Sequence, residues 1–323
     1  MGVKRAANHR VKEKMKVLSV NISEKKGTTK KPVPEITLYE YGVKEDAHAG
    51  SWHRQVSLLG KESFDKFSKQ ANRNLVYGEF AENITTEGLV LYETQPLDRL
   101  VNNEVELEIT QIGKECHGSG CAIFREVGNC VMPKEGIFAR VIKGGRVKAG
   151  DQFQYIPKVF RFMVITLSDR ASRGEYSDRS GPRIVELLNT HFNKIKRKIE
   201  LSQELIPDSE EHLKELVLKA SSQKFDAIIT TGGTGIGPRD ITVETIKPLL
   251  DKEIPGIMEM IRVKYGAEKP NALLSSGVAG LIGDTLIYTL PGSVKAVNEY
   301  MEEILKTFQH LVYMRHGLDL HSK

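Results

Sequence analysis

The chain has 323 residues, of which 40% are hydrophobic and 28% charged, with three cysteines and a net charge of +5. A length of that order holds about two domains, and the composition is that of an ordinary globular chain rather than a disordered or collagenous one. No apolar run approaches the ~18 residues that span a bilayer, so no membrane partner is expected.

The charge is unevenly placed. Residues 1–31 carry ten Lys/Arg and two Glu, or +8, which leaves −3 for the remainder. The opening MGVKRAANHRVKEKMK is basic but has no apolar core, so it does not read as a secretory signal. Residues 1–15 are set apart as a basic N-terminal segment, a solvated start rather than a nucleic-acid tail. No zinc-finger spacing and no aromatic RNA-binding signature follows, so nucleic acid is not an expected partner. Cys116, Cys121 and Cys130 are an odd, clustered set. That argues against a disulfide scaffold and for a reducing compartment, which makes the cytoplasm the expected location.

Residues 16–157 read as β-rich. The runs MKVLSVNIS, EITLYEYGV, VSLLG, VELEITQIG and GIFARVIKG are short and are separated by Gly, Asn and charged turns, as in a barrel or folded sheet. One helix is predicted over Ser63–Gln70 and a short one near Pro96–Leu100. The segment GGRVKAGDQFQYIPKVF, punctuated by glycines and Pro157, reads as a hinge, with the second domain beginning at 158 and running to 323.

From Phe160 the grammar changes. FRFMVITLS, KIELSQELIP, FDAIITT and DTLIYTL read as strands. Between them, Ile184, Leu188, His191, Phe192 and Ile195 recur at helical spacing, as do Leu213, Leu216, Val217 and Ala220. A further helix is predicted around Val243–Leu250, and Val294, Val297, Met301, Ile304, Leu305 and Phe308 line a closing one. Strand–helix alternation predicts an α/β fold with a mostly parallel sheet and helices on both faces.

Ligands of open α/β sheets sit outside the carboxyl ends of the strands, so the loops after each strand carry the functional candidates. These are SDRASRGEYSDRSGP, IPDSEE, TTGGTGIGPRD and PGSVKA. The turn Gly232-Gly233-Thr234-Gly235 follows a buried strand, and glycines let a backbone turn tightly and present N–H groups to an anion. It is neither a Walker loop nor a dinucleotide fingerprint. Asp208 and Asp240 each follow a strand by a short step. Two carboxylates at one rim suit Mg²⁺, which takes one or two of them plus substrate phosphates; each also stands where an aspartate caps a helix. Arg170, Arg239 and Lys295 lie in or beside the same loops.

Together the four blocks resemble the molybdopterin adenylyltransferase family, the MogA/MoaB type also found in gephyrin-like proteins, over about residues 160–315. The resemblance implies transfer of AMP from ATP to the terminal phosphate of molybdopterin, with Mg²⁺, and release of pyrophosphate. It places Asp208 and Asp240 as the Mg²⁺-linked catalytic residues and Thr231, Gly232, Gly233, Thr234 and Gly235 as the phosphate-binding turn. Ser168, Asp169 and Ser180 match the first loop, and Ser275, Pro291, Gly292 and Ser293 the pterin-side and closing segments. It also implies a homotrimer and a molybdenum-insertion or molybdoenzyme partner.

In the N-terminal half, SVNISEKKGTTKKPV, DAHAGSWHRQVSLLG, GEFAENITTEGL and the cysteine-bearing GKECHGSGCAIFREVGNCVMPKEGIFARV resemble a MOSC domain, over about residues 16–155. That family is a β-rich barrel with a proposed role in handling sulfur or the molybdenum cofactor through a cysteine. Cys116 is the first candidate and Cys121 the second; a thiolate carries a persulfide or ligates molybdenum when nearby cations lower its pKa. His48, Trp52, His53 and Arg54, with Glu82 and Asn83, form the remaining polar blocks of this half. Two functions stand side by side: an adenylyltransferase with a cofactor-handling barrel, and a non-catalytic molybdopterin-binding or sulfur-carrier protein.

Overall fold

A computed structural model describes residues 13–72, 74–114 and 130–318. The chain divides into two compact units, the second being Val159–His316.

The first unit is a closed barrel. Its strands are β1 (Lys14–Ile22), β2 (Lys31–Val33), β3 (Glu35–Tyr39), β4 (Gly42–Val43), β5 (Val56–Gly60), β6 (Ile84–Glu87), β7 (Arg99–Val101), β8 (Glu106–Ile112), β9 (Ile137–Lys143), β10 (Gly145–Lys148) and β11 (Gln152–Ile156). Seven of them follow one another in the order β11-β7-β8-β9-β5-β6-β1, and the β1–β11 pairing closes the ring. Closure leaves no free sheet edge in the ring. The pair β5–β6 is parallel; β2 extends β1, and β3, β4 and β10 form a small second sheet.

Alternation along β1 points Met15 and Val17 inward, where they meet Val56, Leu58, Ile84, Leu107, Ile109 and Phe153. Helix α1 (Lys61–Ala71) ends on Asn72 in the left-handed conformation, φ 50°, a common helix stop. A smaller core of Leu59, Phe64, Phe67, Phe80, Val131, Met132 and Phe138 includes side chains from α1 and from the short helix α2 (Met132–Glu135).

Two expectations are corrected here. The segment from Gly144 to Phe160 is not merely a linker: it holds β10, β11 and the start of the next strand, with the boundary between the units after Lys158. Val147 and Phe153 are fully buried, so the apolar residues of this stretch belong to the barrel. Gly144 serves close approach, since a Cβ there would lie 2.5 Å from the Leu38 carbonyl oxygen. Pro96–Leu100 is not helical either. One 3₁₀ turn forms at Leu91–Glu93, and Asp98 draws the following residues into a tight turn. Its carboxylate accepts from the Gln95 and Lys158 N–H groups at 2.8 and 2.9 Å and from the Tyr155 hydroxyl at 2.6 Å.

The second unit is built on β12 (Val159–Leu167), β13 (Lys198–Ile206), β14 (Ala227–Thr231), β15 (Lys252–Glu253), β16 (Ala279–Ile282) and β17 (Thr285–Leu290), in the order β13-β12-β14-β17-β16-β15. The first four strands in that order run parallel; β16 and β15 pair antiparallel. The sheet is thus parallel through four strands and mixed at its β16–β15 end. Its antiparallel part begins at a hairpin in which Gly283, at φ 57°, supplies the turn that Gly-Asp sequences favour.

Helices α3 (Asp169–Ser172), α4 (Ser180–Lys194), α5 (Glu210–Ser222), α6 (Thr242–Ile246), α7 (Pro255–Gly266) and α8 (Val294–Arg315) complete the unit. The strands β14 and β17 are buried at every position, as expected of strands covered on both faces. Alternation along β12 sends Phe160 and Phe162 to one face, where they meet Phe192 of α4 and Phe308 of α8 with ring centroids 5.1 to 5.8 Å apart. It sends Met163, Ile165 and Leu167 to the other, against Leu213 and Val217 of α5 and Ile246 of α6.

Phe192 is fully buried and touches three other phenyl rings. Phe192→Ala is expected to cost about 3–5 kcal/mol, the range for an emptied aromatic site. Urea unfolding followed by far-UV circular dichroism measures it, and an unchanged midpoint would contradict the packing described here.

Candidate functional site

Parallel strands end at one rim, and the loops leaving them meet there. Beyond β12, Ser168 caps α3 by accepting the Ala171 N–H at 3.2 Å, and its hydroxyl lies 2.9 Å from that of Tyr176. Asp169 and Asp208 clasp each other: the Asp169 N–H donates to Asp208 Oδ2 at 3.2 Å, and the Asp208 N–H donates to Asp169 Oδ1 at 3.1 Å. Two loops 39 residues apart in sequence are tied by their aspartates. Asp208 does not cap α5, because Ser209 does so. Asp240 is not a helix cap either: its Oδ2 accepts from Gly237 N–H at 2.9 Å, folding the loop back on itself.

Asp169, Asp208 and Asp240 line a cleft of about 340 Å³ with Leu167, Ser168, Arg170, Gly233 and Arg239. Burial raises the Asp208 carboxyl above its usual range; the Asp169 and Asp240 carboxylates add to the rise and Arg239 opposes it. Arg239 Nη1 stands 3.9 Å from Asp169 Oδ2 on a largely exposed side chain, and Arg170 lies over the Tyr176 ring at 5.3 Å. Carboxylates crowded in this way favour a bound cation. Among the described residues no three His, Cys, Asp or Glu side chains come close enough to enclose a metal alone. Carboxylate oxygens are the donors that a hard cation takes.

The glycine turn forms the floor. Gly232 and Gly233 have φ of 104° and 64°, a region that side chains rarely enter. A Cβ would lie 2.3 Å from the Leu167 carbonyl oxygen at Gly232, 2.5 Å from Thr242 Oγ1 at Gly233 and 2.6 Å from Asp240 Oδ2 at Gly235. Thr231 is buried, its hydroxyl donating to the Pro291 carbonyl at 2.9 Å. A Cβ at Gly292 would lie 3.3 Å from Gly232 Cα, so the closing loop rests on the turn.

A second cleft, of about 400 Å³, shares Gly233 and Asp240 with the first. Thr234, Gly235, Ser275, Pro291, Gly292 and Ser293 line it. Ser293 caps α8 by accepting the Ala296 N–H at 3.2 Å, so the positive end of that helix faces the cleft. Arg262 fixes the Ser275 loop, donating to the Gly277 carbonyl at 3.0 Å. The rim thus gathers Ser168, Asp169, Asp208, Asp240, Gly233, Thr234, Gly235, Ser275, Pro291, Gly292 and Ser293. Ser180 lies apart and lines neither cleft: it is buried in the first turn of α4, bonded through its hydroxyl to Asp178 at 3.0 Å. Lys269, Asn271, Glu299 and Tyr300 line the second cleft with no motif to announce them. They come from α8 and from a Lys-Pro-Asn turn in a stretch whose sequence shows no periodic pattern.

In the first unit, a second polar cluster is buried. Lys30 and Asp46 form an ion pair with both side chains 1% exposed. Asp46 also accepts the Ser23 and His48 N–H groups at 3.0 Å. Burial lowers the Lys30 ammonium below its usual range, against the pull of Asp46. For Asp46 burial works upward, yet hydrogen bonds from His48 and Lys30 outweigh it and hold the carboxyl well below the usual range. Glu82 is fully buried: Gly78 N–H and the Thr85 hydroxyl donate to its Oε1, while Oε2 finds no partner. Asn83 accepts the Ser57 N–H at 3.1 Å and donates to the Asn21 carbonyl at 3.2 Å. The Trp52 indole donates to the His48 carbonyl at 3.1 Å and Arg54 stacks over it at 4.8 Å. His53 accepts through its carbonyl from Thr110 at 2.6 Å. Cys130 is half-buried; Cys116 and Cys121 lie outside the described residues.

Residues 163–310 match the profile of a probable molybdopterin binding domain, and residues 45–154 that of the MOSC domain. The molybdopterin adenylyltransferase of Pyrococcus furiosus is 38% identical over 161 residues, which is 48% of this chain and 91% of that protein. The chain belongs to the molybdopterin adenylyltransferase family, with a MOSC domain fused ahead of it. Molybdenum cofactor biosynthesis protein B of Bacillus cereus is 35% identical over 50% of this chain and 93% of its own length. Gephyrin of Dictyostelium discoideum is 39% identical over 46% of this chain, but the match spans only 21% of gephyrin. A solved MoaB structure from Thermus is 39% identical, covering 49% of this chain and 97% of that one, with a TM-score of 0.45. Among the described residues no helix is long and apolar enough to cross a membrane.

In the MOSC unit, burial pushes Glu82 up to about 7, against the hydrogen bonds it accepts. An acid whose folded pKa exceeds its unfolded value binds its proton more tightly in the folded state. The fold therefore loses stability as pH rises from about 4.5 to about 7 through this group and loses no more above that. Glu82→Gln imitates the protonated form. It is expected to flatten the pH dependence across that window and to leave the barrel more stable than wild type at pH near 8. Urea titrations read by Trp52 fluorescence at several pH values check it; parallel wild-type and variant curves would refute it.

Proposed function

We propose that the second unit transfers AMP from ATP to the terminal phosphate of molybdopterin and releases pyrophosphate. The observation that carries this reading is the meeting of two clefts at Gly233 and Asp240, one lined by three aspartates and the other by hydroxyls, lysines and a helix N-terminus. A nucleotidyl transfer needs two phosphate-bearing reactants in contact, and two clefts with a common floor hold them so.

Asp208 and Asp240 are the residues that would hold Mg²⁺, which supplies charge neutralisation for the triphosphate when bound. The glycine turn and the Thr234 hydroxyl bind phosphate oxygens from below, and Arg170 and Arg239 offset further charge at the mouth. An acceptor phosphate oxygen attacks the α-phosphorus of ATP; that P–O bond forms as the α–β bridge breaks, and pyrophosphate leaves with the electron pair. The attacking oxygen is already ionised at neutral pH, so positioning and charge stabilisation do the work and no general base is assigned.

The MOSC unit is proposed to bind the cofactor or carry its sulfur, with Cys116 as the reactive thiol. The buried Lys30–Asp46–His48 cluster supports a charged ligand site there. A homotrimer in the cytoplasm, delivering product to a molybdenum-insertion or molybdoenzyme partner, completes the reading. Met260, Val263, Leu273 and Leu274 are exposed apolar side chains of the second unit that self-association would cover.

Asp208→Asn and Asp240→Asn are each expected to lower pyrophosphate release from ATP and molybdopterin by about 10²-fold or more, the loss typical of a removed transition-state charge contact. Circular dichroism should show the fold retained. Wild-type turnover in both variants would end the catalytic reading, and binding of both substrates without pyrophosphate in the wild type would favour a carrier.

A further inference from the structure

The second cleft sets two lysines side by side. Lys269 Nζ lies 2.8 Å from Glu299 Oε1, and the Lys295 ammonium lies against that of Lys269. Glu299 raises the Lys269 ammonium above its usual range, and Lys269 lowers that of Lys295. Glu299 is the carboxylate bonded to Lys269, Glu268 acts on both lysines at longer range, and Asp240 lines the cleft with Lys269, Lys295 and Glu299. The 22-residue helix α8 adds its positive end at Ser293. Tyr300, from the next position on α8, is only 3% exposed and lines the same cleft, with Ser275 bonded to its hydroxyl. Two ammonium groups in contact repel. That cost disappears if an anion sits between Lys269 and Lys295.

We propose that Glu299 is an internal counter-anion: it holds Lys269 while the cleft is empty, and a phosphate monoester entering beside Lys295 displaces it. The assignment to a monoester rests on the adenylyl-transfer reading and on the contrast between the clefts. The first cleft, with three aspartates, suits a metal-bound nucleotide; the second sets two adjacent lysines to meet a phosphate directly. Glu299 therefore sets a threshold for the acceptor, excluding anions too weakly charged to win Lys269 from it, and acts as a specificity-determining residue rather than a catalytic one.

The test uses the full chain and inorganic phosphate as probe, by isothermal titration. Glu299→Gln is expected to bind phosphate about tenfold more tightly than wild type, and Lys295→Ala about tenfold more weakly, the scale of one charge-assisted hydrogen bond. In the transfer assay the KM for molybdopterin should move in the same directions while the KM for ATP stays unchanged. Phosphate affinity that is unchanged or weaker in Glu299→Gln overturns the proposal, whether or not the enzyme turns over. Tighter phosphate binding in that variant, together with a wild type that releases no pyrophosphate, upholds the counter-anion and overturns the transfer reading instead.

Discussion

Asp169 and Asp208 each spend a carboxylate oxygen on the other's backbone N–H, and the candidate site depends on that exchange. Loops after parallel strands reach one rim by topology, but topology alone leaves them free to splay. The clasp ties the loop beyond β12 to the loop beyond β13 and holds both aspartates in the lining of the cleft. The glycine turn closes the third side, held by Thr242, whose hydroxyl donates to the Gly232 carbonyl at 2.8 Å. With a Cβ at Gly232 or Gly235, the turn would collide with Leu167 or with Asp240. Each loop at the rim is thus positioned by another, which is how a site made of short loops becomes rigid enough to orient phosphates.

The two units bury charge in different ways. In the MOSC unit Lys30, Asp46 and Glu82 lie in the interior, and the ion pair offsets part of its desolvation through the Ser23 and His48 amides. A buried pair of that kind adds little net stability, which makes a structural role a weak reason for its presence. At the rim of the second unit each cleft carries both signs: Asp169, Asp208 and Asp240 with Arg170 and Arg239 in one, Lys269 and Lys295 with Asp240 and Glu299 in the other. The different make-up of the two clefts gives two phosphate reactants different addresses.

Much of this was legible from residues alone. The strands FRFMVITLS and FDAIITT and the helix face of Ile184, Leu188 and Phe192 follow from periodicity, and the rim position of Asp208 and Asp240 follows from where strands end. The hairpin of β16 and β17 had its signal in two apolar runs flanking Gly283-Asp284. The barrel's last strands were misread because Gly144, Gly145 and Gly150 resemble linker punctuation, whereas Gly144 permits close backbone packing. Ser180 looked like a loop ligand but is consumed by Asp178 in starting α4. Lys30 and Lys269 were invisible for a different reason. Burial of the one and the neighbours of the other are made by contacts distant in sequence, and a lysine carries no local mark of either.

The strand β13 closes one end of the sheet with Lys198, Glu200 and Glu204 along it, much of the strand open to solvent. The opposite end is the two-residue β15. Charged and truncated borders of this kind resist the addition of a further strand from another molecule. Copies of this chain that meet through the second unit must therefore interlock through helical and loop surfaces, and the backbone ladder stays private to each subunit.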